Sequence, residues 1–264
     1  MCIIAIKPQG KKMFNDSAIT IMFLNNPDGA GYMFYDEKNK KVCIKKGFMT
    51  CKALLDSLHS RDFTDTNLIL HFRIGTSGLN DALNCHPYPL YADNATKCNA
   101  DIAMAHNGIL TKYNPPKTSK INDTQMFIQN VLNRLDKNFL YDDDKVMLIH
   151  DLIGTNKLAF LDSKNKITTI GDFIHDGDYM FSNRSYKYET LLPKKYDYPR
   201  GTKPIAKKAK TTKKSKPAVY TNVCPKNFVS DSCVSTRYKL TDEEYDFWHD
   251  EPSEFWDDWD RRHA

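Results

Sequence analysis

Cys2-Ile-Ile-Ala-Ile-Lys7 is a short apolar run that reads as a buried strand, and its likeness to two later runs decides the fold. Asn67-Leu-Ile-Leu-His-Phe-Arg-Ile74 and Asp101-Ile-Ala-Met-Ala-His106 are equally apolar. Each ends in residues that tolerate tight turns, Gly75-Thr-Ser-Gly78 and Asn107-Gly108. Chemically active residue types thus stand at the ends or starts of three buried strands.

Outward from these runs, Asp16 or Ser17 can cap a short helix to about Leu24. Asn25-Asn-Pro-Asp-Gly-Ala-Gly31 is dense in turn formers, and Tyr32–Tyr35 pairs naturally with Lys41–Lys45 as a hairpin. Thr50 opens a helix with Ala53, Leu54 and Leu58 inward. A helix from Asn122 or Asp123 should bury Phe127, Val131, Leu132 and Leu135, and a further helix covers Asp143 to Leu152. Lys157–Leu161, Lys166–Ile170 and Tyr179–Ser182 complete the strands. Strand clusters separated by helix pairs indicate α+β rather than a regular βαβ winding. We expect a folded domain over residues 1–190.

The net charge of +5 is not a uniform property of the chain. Lys194–Lys216 holds ten Lys or Arg against Asp197 alone, whereas Thr241–Ala264 holds ten acids against two Arg. Residues 191–218 therefore read as a Lys-rich, self-repelling linker, and 219–264 as a disordered acidic tail. That tail carries all three tryptophans, Trp248, Trp256 and Trp259, and suits docking on a protein partner. The basic run lacks interleaved aromatics, which argues against nucleic acid as a partner.

Seven cysteines occur without metal-ligand spacing, so no metal site is expected. No P-loop or GxGxxG run points to a nucleotide cofactor, and none is expected. No apolar run approaches the roughly 18–20 residues that span a bilayer. With no charged-then-apolar leader before the first strand, the expected setting is a reducing cytoplasm, that of a host cell if the chain is viral.

Cys2 is either a small buried strand residue or a nucleophile. A small second residue permits removal of the initiator Met, which frees an α-amine on the cysteine itself. That amine has a reference pKa near 7.7–8.0 and can act as base for its own thiol. Arg73 on a buried strand requires partners, since an unpaired buried guanidinium is costly. Asn107-Gly108 is on its own an ordinary turn signal. Asp123 doubles as a helix N-cap, and His86 as a turn residue before Pro87.

Taken in order, Met1-Cys2-Ile-Ile, Asn26-Pro-Asp-Gly-Ala-Gly31, His71-Phe-Arg73, Asn84-Cys-His-Pro87, Ala105-His-Asn-Gly108, Asn122-Asp-Thr124 and Ser182-Asn183 resemble the class II glutamine amidotransferases. These are N-terminal-nucleophile hydrolases, and the similarity is greatest to small stand-alone versions from bacteriophages. The resemblance implies a four-layer α/β/β/α sandwich. It also implies hydrolysis of glutamine or another γ-glutamyl amide through Cys2 and a thioester. Asn107 and Gly108 would form the oxyanion hole. Arg73 and Thr76 would hold the substrate α-carboxylate, with Asp123 on its α-amine and a further contact from His86.

The sequence departs from synthase-linked members at Ile74-Gly-Thr-Ser77, where they carry Trp and then Ala-Thr-His. No ammonia-consuming domain is legible either. The rival reading is a repurposed viral effector or binding module that acts on a host protein through the cleft or tail. Retention of Cys2, Arg73, Asn107 and Asp123 together favours the enzyme.

Overall fold

The computed structural model describes residues 2–76, 78–116 and 118–187. The expected linker and tail lie outside the described residues. Two antiparallel sheets form the centre. The larger has seven strands in the order β10-β11-β1-β4-β2-β3-β6, and the smaller has four in the order β5-β7-β8-β9. In chain order the first six strands are β1 (Ile3–Lys7), β2 (Ala30–Asp36), β3 (Lys41–Phe48), β4 (Leu68–Phe72), β5 (Tyr88–Leu90) and β6 (Lys97–Ala100). They are followed by β7 (Ile102–Asn107), β8 (Lys157–Asp162), β9 (Ile167–Ile170), β10 (Ile174–Asp176) and β11 (Tyr179–Phe181). The helices are α1 (Asp16–Asn25), α2 (Cys51–His59), α3 (Asp123–Asn130) and α4 (Asp143–Ile153).

Strand alternation builds the layers. Ile3 and Ala5 of β1 join Leu68, Leu70 and Phe72 of β4 beneath Met22, Leu54 and Leu58 of α1 and α2. Ile4, Ile6 and Ile69 point the other way, onto Ala103, Ala105 and Ala159 of the second sheet. Those alanines let the sheets approach, and their intervening neighbours Met104, Leu158 and Phe160 pack on Phe127, Ile149 and Ile153 of α3 and α4. The result is helix, sheet, sheet, helix, as expected.

Several boundaries differ from the sequence reading. Asn15 caps α1, its side-chain oxygen accepting from Ala18 N–H at 2.7 Å, in place of Asp16 or Ser17. The helix expected to reach Leu135 ends at Asn130 and tightens into a 3-10 turn at Leu132–Arg134. The turn beyond the helix is tied to the rest of the fold by Tyr91, whose hydroxyl lies 3.0 Å from the carbonyls of both Leu132 and Leu135. Asn122, not Asp123, is the N-cap of α3, in a capping box with Gln125. Lys97-Cys-Asn-Ala100 reads as a polar loop but pairs with β3 as an edge strand, where main-chain hydrogen bonds need no apolar side chain.

Candidate active site

The antiparallel pairings bring four strand ends to one rim. Ile3 and Ala30 both lie opposite Phe72, so the start of β1, the start of β2 and the end of β4 coincide. β11 completes the rim, because Ala5 pairs with Phe181. Cys2 sits one residue before β1 and Arg73 one residue after β4. Ser182 and Asn183 clamp the strand that carries the thiol. The Ser182 hydroxyl accepts Ile4 N–H at 2.8 Å, Ser182 N–H donates to Ile4 O at 2.9 Å, and the Asn183 side-chain amide donates to Cys2 O at 2.6 Å.

Cys2 Sγ accepts the Ile74 N–H at 3.2 Å. Burial pushes the thiol pKa up, opposed by that N–H and by the positive charge of Arg73. The resting sulfur is therefore a thiol that needs a base to react. Arg73 is buried, and its guanidinium donates to Asn80 Oδ1 at 2.8 Å and to Leu79 O at 3.1 Å. Asp28 holds the same loop from below, accepting from Gly75 N–H at 2.8 Å and from the Asn80 side chain at 3.3 Å. Gly29 adopts φ +109°, and a Cβ there would lie 2.6 Å from Cys85 Sγ, so this turn passes too close to the 84–87 segment for any side chain.

The opposite wall is the end of β7. Alternation turns Asn107 toward the first sheet, where its amide donates to Ser182 Oγ at 2.8 Å and its buried Oδ1 has no partner among the described residues. His106 faces the helices instead. Its Nδ1 lies 2.7 Å from Thr124 Oγ1 and its Nε2 3.0 Å from Asn156 Oδ1. Since Asn156 Oδ1 only accepts, His106 carries its proton on Nε2 and takes the Thr124 hydroxyl on Nδ1. Gly108 has φ +144°, and a Cβ there would fall 1.9 Å from Asn156 Oδ1. Asp123 pins the following loop, its carboxylate accepting Leu110 N–H at 2.7 Å and Thr124 N–H at 3.0 Å.

His71 and His86 join His106 in a buried stack. The rings of His71 and His86 are 4.2 Å apart, and those of His86 and His106 are 6.1 Å apart. Burial lowers all three pKa values, that of His71 to about 3 and that of His86 well below the ordinary range. All three are neutral at physiological pH. Among the described residues no group of three or more His, Cys, Asp or Glu has the arrangement of a metal site.

One open cavity collects Cys2, Arg73, Thr76, His86, Gly108 and Asp123. Asn107 is not among its lining residues. The sequence reading assigned no role to Asn156, Asn80 or His71, nor to the Ser182-Asn183 pair it quoted. Asn156 and Ser182 flank strand ends, His71 and Ser182-Asn183 fall within quoted motifs, and no local signal marks Asn80.

A family model of class II glutamine amidotransferases matches residues 22–195. Among solved structures, the chain is similar to the allosteric regulatory enzyme of purine biosynthesis, with 18% identity over 69% of this chain and 41% of that one, at a TM-score of 0.41. It is also similar to glutamine phosphoribosylpyrophosphate amidotransferase from B. subtilis complexed with ADP and GMP, with 15% identity, the same two coverages and a TM-score of 0.41. The chain thus spans about two fifths of the length of either. No curated protein matches it. With the family model covering well over half of its 264 residues, the chain belongs to the class II glutamine amidotransferases.

Proposed function

We propose that the chain hydrolyses the side-chain amide of glutamine, or of another γ-glutamyl compound, with Cys2 as nucleophile after removal of Met1. The observation that carries this reading is the cavity in which Cys2, Arg73, Thr76, His86, Gly108 and Asp123 meet, within a family whose substrate is glutamine. The α-amine freed on Cys2 takes the thiol proton. The sulfur attacks the amide carbon, forming the C–S bond while the C=O pair moves onto oxygen. Collapse breaks the C–N bond, the ammonium group returns its proton to the departing nitrogen, and ammonia leaves a thioester. Water then adds to the thioester and releases glutamate and the thiol.

The oxyanion needs donors. Gly108 N–H is one, and Asn107 supplies the other if its amide is turned about its last bond. The Ser182 hydroxyl already accepts Ile4 N–H, so its own proton has an acceptor only if Asn107 presents Oδ1 to it. That orientation moves the amide NH2 to the side where Oδ1 now lacks a partner. In substrate binding, Arg73 exchanges the neutral oxygens of Asn80 and Leu79 for the substrate carboxylate, a stronger charge-assisted partner. Asp123 and Thr76 take the α-amine and the carboxylate.

The proposal includes a reducing, cytoplasmic setting, that of a host cell if the chain is viral, because a nucleophilic thiol must stay reduced. Among the described residues no helix is long and apolar enough to cross a membrane. The expected domain limits, with a linker at 191–218 and a partner-docking tail at 219–264, stand as part of the same proposal. The test is ammonia release from glutamine and from γ-glutamyl amides. Wild-type protein should release ammonia and glutamate in equal amounts, and Cys2→Ala neither. Absence of turnover on every γ-glutamyl amide tried would reject the enzyme in favour of a binding module.

A further inference from the structure

The His71–His86–His106 stack lies behind the cavity, and its hydrogen bonds leave little freedom about where protons sit. His71 Nε2 is 3.0 Å from the carbonyl of His106, which only accepts, so this nitrogen carries a proton. The same nitrogen is 3.0 Å from His86 Nδ1. His106 N–H, which only donates, also points at His86 Nδ1 from 3.4 Å. Two donors therefore converge on His86 Nδ1, which must be a bare lone pair. The proton of a neutral His86 is forced onto Nε2. No partner among the described residues takes that nitrogen, and His86, though buried, lines the cavity.

We propose that His71 is a positioning residue that locks His86 in its Nε2–H tautomer, so that His86 presents a permanent hydrogen-bond donor to an oxygen of the bound substrate. The inference rests on the amidohydrolase reading for the identity of that oxygen, a carboxylate or carbonyl of a γ-glutamyl compound. The pairing of the two rings stands without it. The pocket is thereby selective, since an ammonium or amide N–H placed against His86 would meet a second donor. Protonation gives no escape. A charged His86 would need a proton on Nδ1, against two donors, and a charged His71 would carry a second N–H at Nδ1, which is buried with no partner among the described residues. The groups around His86 oppose protonation too: Arg73 is a cation, and Lys46, His71 and His106 would repel it whenever they are charged. Lys46 reaches this region over the Tyr88 ring, 3.9 Å from its centroid.

The experiment is long-range 1H–15N correlation of histidine side chains in the full chain labelled with 15N-histidine, from pH 6 to 8. The wild-type spectrum should show His86 as a single neutral Nε2–H tautomer throughout. His71→Phe removes the nearer of the two donors facing Nδ1 and leaves only the longer His106 N–H, so a second tautomer should appear. KM for glutamine should then rise about two- to tenfold at unchanged kcat, the worth of one hydrogen bond. In His71→Gln the side-chain NH2 reaches where Nε2 stood, so this variant should restore both. A wild-type His86 protonated on Nδ1, or charged within this range, overturns the proposal even if His71→Phe fails to fold. So does a His71→Phe spectrum that keeps the single tautomer, or a His71→Gln variant no better than the Phe one. If glutamine is not a substrate yet the tautomers behave as stated, the lock stands and the amidohydrolase reading falls.

Discussion

Gly108→Ala tests how tightly the second wall of the site is built. The backbone there has φ +144°, which a residue with a side chain adopts at a cost of about 1–3 kcal/mol. The new methyl would also fall 1.9 Å from Asn156 Oδ1. Asn156 must then swing away and surrender its 3.0 Å hydrogen bond to His106 Nε2, worth about 1 kcal/mol. The expected loss is about 2–4 kcal/mol, or about 2–4 °C in Tm per kcal/mol for a domain of this size. Asn156→Ala alone should cost about 1–2 kcal/mol, since it leaves His106 Nε2–H buried and unpaired. The double variant removes the clash and counts the hydrogen bond once. It should therefore be more stable than the sum of the single losses by about 1–2 kcal/mol. Urea denaturation of the four proteins measures all these terms. A stable Gly108→Ala protein, or strictly additive losses, would refute the contact between Gly108 and Asn156.

Three further outcomes are expected. Arg73→Lys keeps the charge but loses the planar fork, so kcat/KM should fall by about 2–3 kcal/mol, roughly 30- to 150-fold, and an unchanged value would make Arg73 purely structural. Lys46 is buried with its pKa lowered to about 7, whereas in the unfolded chain it keeps its proton to about pH 10. The unfolded state thus holds the extra proton between these values. Stability should rise with pH across that window, and equal slopes for wild type and Lys46→Met would reject the assignment. A chain ending near Tyr188 should fold with nearly full-length stability and keep its activity, because residues 193–264 lack a periodic apolar pattern. Loss of folding on truncation would make the tail part of the domain.

The apolar strands were legible because burial on both faces leaves a continuous hydrophobic run, as in Cys2–Lys7 and Asp101–His106. The edge strand Lys97–Ala100 was not, since its stability comes from main-chain pairing with Val42–Lys45. The 3-10 turn after Asn130 was hidden for a similar reason: the carbonyls of Leu132 and Leu135 are met by Tyr91, about forty residues earlier in the chain. The site divides the same way. Cys2, Arg73 and Gly108 stand at strand ends beside motif residues and could be picked out. Asn156 and Ser182 matter only through partners distant in sequence, His106 and Ile4, and Asn80 through Arg73 and the distant Asp28. No local pattern announces such contacts. His71 is a special case, an apolar-strand residue kept neutral chiefly by burial, whose ring packs against His86.

The central claim is that Cys2, with its α-amine free, is the nucleophile. It is tested most directly by intact-mass and peptide mass spectrometry of the purified protein, before and after treatment with an electrophilic glutamine analogue. The account predicts that Met1 is absent, that one equivalent of analogue is incorporated, and that the label lies on Cys2 alone among the seven cysteines. Active protein that retains Met1, or a label carried by Cys85 or any other cysteine with Cys2 unmodified, would contradict it.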